Sequence, residues 1–157
     1  MAIEMNVVGY VETTRSTPAD DYWGDERSIV RLSESFDPSA LHGLNEFSHV
    51  EILFVFHHVH ASEVVVDARH PRGNSAWPLV GIFAQRGKNR PNRIGASICR
   101  VVRVQERCLY VAELDAIDGS PVLDIKPVMQ EFLPRHPVVQ PSWSRELMEQ
   151  YWLKPSS

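Results

Sequence analysis

The stretch Phe47-Ser-His-Val-Glu-Ile-Leu-Phe-Val-Phe-His57 constrains this chain more than any other. It is almost continuously apolar and rich in Val, Ile and Phe, a pattern that belongs to a strand covered on both faces or built into a closed barrel. A second apolar run, Val80 to Gln85, leads into the polar loop Arg86-Gly-Lys-Asn-Arg-Pro-Asn-Arg93, and the β pattern resumes from Ile94 to Val104. The expected order is therefore strand, basic loop, strand. Ile3 to Glu12 and Ser28 to Leu32 are short β-branched runs separated by the turn-like Thr17-Pro-Ala-Asp-Asp21, and they predict two early strands. Leu109 to Asp115 alternates in part and ends near the turn former Asp118-Gly-Ser-Pro121, after which Val122 to Lys126 continues the sheet. Ser142 is placed to cap a helix whose Trp143, Leu147, Met148, Tyr151 and Trp152 recur at spacings of three and four.

Many short strands and one helix predict a mainly β fold, a single small β-barrel with a C-terminal helix and long loops. The strand–helix alternation of a doubly wound sheet is absent, and so is G-x-G-x-x-G. At 157 residues, one domain spanning 1–157 is expected. No apolar run approaches the roughly 20 residues of a membrane helix, so no membrane partner is expected. Met1 to Glu12 lacks a basic segment followed by an apolar stretch, which predicts a cytoplasmic location. Cys99 and Cys108 lie in apolar strand-like segments without C-x-x-C spacing and read as plain buried thiols. The net charge of -4 gives no global attraction for nucleic acid, so any such binding requires a local basic patch.

That patch is available. Arg86, Lys88, Arg90 and Arg93 put four cations in eight residues, and Arg100, Arg103 and Arg107 extend them into a candidate phosphate-contact stripe. A solvated loop and strand face reads equally well from charge alone. The carboxylates of Asp115, Asp118 and Asp124 lie around one tight turn, where they can accept hydrogen bonds from a ligand or a reacting nitrogen. The plainer alternative is a turn at Asp118-Gly119 with Asp124 paired to Lys126. In His57-His58-Val-His60, a continued strand would point His58 and His60 to one face, but no further motif completes a metal site, and no metal is expected. Trp23, among Asp20, Asp21, Asp25 and Glu26, is suited either to stacking on an adenine or a sulfonium cation or to capping the core.

Four ordered segments, Phe47 to His57, Val80-Gly-Ile-Phe-Ala-Gln-Arg86, Arg90-Pro-Asn-Arg-Ile-Gly95 and Asp118-Gly-Ser-Pro-Val-Leu-Asp-Ile-Lys-Pro127, resemble the TsaA-like family of β-barrel methyltransferases. The resemblance spans a motif core of 47–127 and leaves a C-terminal arm and helix at 128–157. It implies an S-adenosylmethionine-dependent methyltransferase on a small barrel, acting on N6-threonylcarbamoyladenosine in tRNA, and commonly paired as a homodimer. By position it implies cofactor contacts at His57, His58, Arg86, Ala96, Ala112, Glu113, Leu114 and Asp115, with Trp23 and Gly24 in the N-terminal contacting segment. Asp115 and Asp118 become the candidate catalytic carboxylates, while Arg90, Asn92 and Lys126 become candidate substrate contacts. This sequence has Arg93 where the family usually has proline and Glu51 where tryptophan is common. No counterpart of the additional C-terminal domain of longer bacterial members is read in it. A different small or RNA substrate, or cofactor binding without turnover, therefore stays open as the alternative.

Overall fold

The computed structural model describes residues 1–155. Six strands close into a barrel in the order β1, β2, β7, β6, β3, β8, all neighbours antiparallel. They are β1 (Gly9–Glu12), β2 (Arg27–Leu32), β3 (His49–Val55), β6 (Ile94–Gln105), β7 (Cys108–Ala112) and β8 (Pro121–Pro127). The short pair β4 (Ala68–Arg69) and β5 (Val80–Gly81) sits in the long connection between β3 and β6. The mainly β barrel expected from the sequence is the fold observed.

The closed sheet follows from a two-residue period. Val11, Val30, Leu32, Val50, Ile52, Phe54, Cys99, Leu109, Val111 and Val122 form one buried cluster, while most of their strand neighbours are half-buried or exposed, Cys108 and Ala112 of β7 being buried as well. β3, like every strand of the closed barrel, bonds on both edges, to β6 and to β8. β6 is long enough to serve two partners: Ile94 to Arg100 pairs with β3, and Arg100 to Gln105 pairs with β7. The register slips between Val101 and Arg103, and such a bulge lets one strand bend around the barrel. Both cysteines are buried and free, and burial pushes the Cys99 thiol up to about 12, so it stays an inert thiol.

Interior space is set by one cross-strand pair. Phe54 faces Gly95 in the β3–β6 register, and the ring lies so close that a Cβ on residue 95 would come within 2.5 Å of it. The same ring meets Phe56 edge-to-face at 5.2 Å.

Three sequence expectations shift. β1 begins only at Gly9, and Met1 to Asn6 are exposed. The run Val80 to Gln85 is a strand for two residues and then a 3-10 turn, Ile82–Ala84, which buries Ile82 but leaves Phe83 78% exposed. Here the Gln85 side chain, bonded to the carbonyls of Arg69 and Val80 at 3.0 Å each, replaces strand pairing. The C-terminal helix α1 (Ser142–Met148) starts at Ser142 with Pro141 in the cap position, and Ser142 caps nothing. Of its predicted apolar face, Trp143, Leu147, Met148 and Tyr151 are half-buried and Trp152 is exposed.

Replacing Gly95 with alanine is expected to force the Phe54 ring aside and cost about 1–3 kcal/mol. Urea unfolding of the Gly95→Ala protein measures this directly; a stability equal to wild type would show that the barrel interior yields.

Candidate functional site

The register brings three connections to one end of the barrel. β3 and β7 end there, at Val55 and Ala112, and their partners begin there, at Ile94, Arg27 and Pro121. The segments 13–26, 56–93 and 113–120 therefore form a single pole. Of the seven non-glycine residues with positive φ among the described residues, six lie in these segments: Tyr22, Asp25, Arg72, Asn92, Arg93 and Glu113. Left-handed backbone is costly for such residues and gathers where a chain is held for a purpose.

His57 follows β3 directly, and its ring packs 4.2 Å from that of His58. Its Nε2 lies 3.5 Å from the position of a Cβ on Gly119, so the imidazole rests against the Asp118-Gly119 turn. Its Nδ1 is buried with no hydrogen bond of acceptable geometry. Burial, followed by the nearby His58, lowers its pKa below the ordinary histidine value, against weaker opposition from the Val55 backbone and Asp118. A neutral imidazole at neutral pH results.

Asp115 is divided between two environments. Its Oδ2 accepts a short hydrogen bond from the Tyr151 hydroxyl, and its Oδ1 is buried with no partner. Burial, and after it the Asp115 carboxylate, pushes the Tyr151 phenol well above the usual tyrosine range, while the guanidinium groups of Arg86 and Arg72 oppose that rise. Arg86 donates to the Ala96 carbonyl at 2.7 Å, Arg90 to Gln85 O at 2.6 Å and Arg93 to Val59 O at 2.6 Å. Three of the four loop cations thus anchor backbone as well as carrying charge. Arg69 reaches the same loop because Gly87 has no side chain, and its Nε is also buried without a partner.

Most of the expected site residues meet here. His57, His58, Arg86, Arg90, Asn92, Ala96, Ala112, Glu113, Leu114, Asp115 and Asp118 all belong to the pole connections or to the strand ends that open into them. Ala112 and Leu114 are fully buried, and Glu113 turns through φ 70° with its N–H on Glu26 O at 2.7 Å. Asp118 is exposed, with Oδ1 accepting from the Thr13 amide at 3.0 Å. Trp23 and Gly24 are at the pole but face inward. Trp23 is only 3% exposed, Arg15 covers its ring at 3.6 Å, and the C-terminal segment packs so tightly on Gly24 that a Cβ there would sit 2.1 Å from Trp152 O.

Other expectations separate in space. Lys126 lies near the far end of β8, opposite Glu51 and 2.6 Å from Asp124, so the fold does not bring it to the pole. The basic stripe is broken up as well. Arg100 approaches Asp25 at 3.7 Å, Arg103 stacks on Tyr110 at 4.1 Å, and Arg107 is tied to Ser33 O and Phe36 O at the opposite end. β3 stops at Val55, which removes the strand alternation that would pair His58 with His60; both are exposed, and His60 instead caps the turn Ala61–Glu63. Among the described residues no three His, Cys, Asp or Glu side chains gather in a metal-binding group, and no helix is long and apolar enough to cross a membrane. Tyr151, Arg69 and Arg72 carry no local signal that marks them for the site. Tyr151 read only as one position of an apolar helix face, and its contact with Asp115 spans 36 residues.

Residues 9–132 match the family described as the tRNA-methyltransferase O N-terminal domain. The human tRNA (adenine(37)-N6)-methyltransferase is 39% identical over 142 residues, which cover 85% of this chain and 32% of the human protein. A probable S-adenosyl-L-methionine-binding protein of Methanothermobacter thermautotrophicus is 36% identical over 135 residues, covering 83% of this chain and 93% of the archaeal one. The crystal structure of TrmO from P. aeruginosa superposes with a TM-score of 0.73 at 27% identity, over 91% of this chain and 62% of that one. The chain therefore spans about a third of the human relative's length and nearly all of the archaeal relative's. With the barrel in place, the histidine pair at the end of β3, and a match that runs through all four motif segments, this chain belongs to the tRNA-methyltransferase O N-terminal domain family, the TsaA-like barrels.

Proposed function

We propose that this protein is an S-adenosylmethionine-dependent methyltransferase that methylates a nitrogen of a modified adenosine, N6-threonylcarbamoyladenosine, in tRNA. The observation that carries the reading is that His57 Nδ1 and Asp115 Oδ1 are both buried at the pole without partners. Each unpaired buried group costs about 1–3 kcal/mol, which a ligand presenting a matching partner recovers. This donor and acceptor set fits a nucleoside cofactor with a charged amino-acid tail: neutral His57, carboxylate Asp115 and the Arg86 guanidinium supply all three kinds of contact. The archaeal relative, a probable S-adenosyl-L-methionine-binding protein, supports the same ligand.

Bound here, S-adenosylmethionine would supply an electrophilic methyl group. The chain's own residues supply the rest. His57, His58, Arg86 and Asp115 hold the cofactor, with Ala96, Ala112, Glu113 and Leu114 forming the adjoining backbone wall. Trp23 and Gly24 support that wall by fixing the segment that covers it. Arg90 and Asn92 face the substrate from the loop before β6, and Lys126 has no part in this arrangement. Asp118, exposed and oriented by the Thr13 amide, accepts the proton that leaves the reacting nitrogen. Asp115 acts by binding, because one of its oxygens is already engaged. Alignment of nitrogen and methyl supplies most of the rate. The basic loop gives the tRNA backbone its first contact. We read the chain as one cytoplasmic domain that pairs as a homodimer, a reading supported by the bare apolar side chains of the arm, among them Phe132 and Val139 at 86% and 90% exposure.

Calorimetric titration with S-adenosylmethionine and S-adenosylhomocysteine tests the cofactor step, and saturable binding near one ligand per chain is expected. Labelled-methyl transfer to tRNA carrying the unmethylated modification tests the rest. Binding without transfer would leave a cofactor-binding module; binding of neither ligand would remove the proposal. Arg86→Ala is expected to weaken cofactor binding by at least about 1 kcal/mol, and unchanged affinity would take Arg86 out of the site.

The neutral state of His57 has its own consequence. Its folded pKa is depressed, so the unfolded chain takes up that proton first as pH falls through about 6.5. Stability tied to His57 is therefore present above that pH and declines below it. Urea midpoints between pH 8 and pH 5 should fall less steeply in His57→Gln than in wild type; identical slopes would mean the imidazole is not held neutral.

A further inference from the structure

We infer that Tyr151, from the C-terminal segment beyond the family's matched region, is a positioning residue of the cofactor site, holding Asp115 so that its free oxygen meets the ligand. The inference rests on the cofactor reading above. The family match ends at residue 132, so Tyr151 lies outside the matched region.

The segment is stitched to the pole at many points. The amides of Tyr22, Trp23 and Gly24 donate to the carbonyls of Gln150, Tyr151 and Leu153 at 3.2, 2.7 and 3.2 Å. The Tyr22 hydroxyl donates to Gln150 Oε1 at 2.7 Å, Trp77 Nε1 to Glu146 Oε2 at 2.9 Å, and Lys154 lies 3.3 Å from Asp25. Gly24 makes the approach possible, since any side chain there would strike the Trp152 carbonyl. These bonds fix the backbone on both sides of residue 151, and Trp152 braces the Tyr151 ring edge-to-face at 4.9 Å.

Held in this way, the phenol has one polar task, the hydrogen bond to Asp115 Oδ2. A carboxylate with one oxygen satisfied and the side chain immobilised presents the other in a fixed direction, and Oδ1 is the buried, unpartnered oxygen. A ligand then meets an acceptor that needs no reorganisation. Without the phenol, Oδ2 loses its partner and the carboxylate is free to turn.

The test uses the 157-residue chain and S-adenosylhomocysteine as probe. Tyr151→Phe keeps the ring and its packing and removes only the hydroxyl. Affinity is expected to fall about tenfold, the size associated with loss of a charge-assisted hydrogen bond. Hydrogen exchange at the Trp23 and Gly24 amides reports whether the segment stays docked, because both amides donate to it. Protection that persists while affinity falls supports positioning. Equal affinity in Tyr151→Phe overturns the inference, and so does a fall in affinity accompanied by loss of protection, which marks the tyrosine as a fastener of the segment only. A wild-type protein that fails to bind the probe overturns the cofactor reading itself, and this inference with it.

Discussion

Everything at the pole depends on β3 being shared by two neighbours. A strand bonded on both edges has no freedom of register, because a slip of one residue would turn Val50, Ile52 and Phe54 outward together. The contact between Phe54 and Gly95 locks the same register from inside, where only a residue without a side chain leaves room for the ring. Once β3 is fixed, the place where it ends is fixed too, and His57 is delivered two residues later against the Asp118-Gly119 turn. The barrel's rigidity thus becomes the precision of the site.

The pole makes a different kind of demand on the chain. It concentrates left-handed residues and buried polar atoms that the fold leaves without partners. Neither feature helps the barrel, and the closely packed interior supplies the stability that allows both. Arginines that elsewhere would be solvated surface are used to brace carbonyls, so the loop before β6 is stiff and charged together. A stiff cationic loop loses less entropy on meeting an anion than a flexible one does.

Much of this was legible in the residues. The long apolar run announced β3, the alternation in Leu109 to Val111 announced a wall strand, and the family resemblance singled out His57, Arg86 and Asp115, which the fold brings to one end of the barrel. What failed was inference from neighbours in sequence. Lys126 sits within a motif, yet a strand carries it about five residues, some 16 Å, from the end where that motif begins. The apolar stretch at Val80 to Gln85 looked like one strand because a short run of this kind has no readable period; the fold keeps Val80–Gly81 as a strand, buries Ile82 and Gln85, and leaves Phe83 and Ala84 exposed. Tyr151 was visible only as an apolar position, since nothing near it in sequence reveals an aspartate 36 residues away.

The arm that supplies Tyr151 leaves the barrel at the end of β8 and returns along its flank to the opposite pole. Among the described residues from 128 onward, none is fully buried. A segment anchored by hydrogen bonds at its tip and by little apolar burial along its length detaches at far lower free energy than the barrel unfolds. The arm is therefore expected to release before the barrel unfolds, and the pole draws residues from both. The barrel's side of the pole would then outlast the side that the arm supplies.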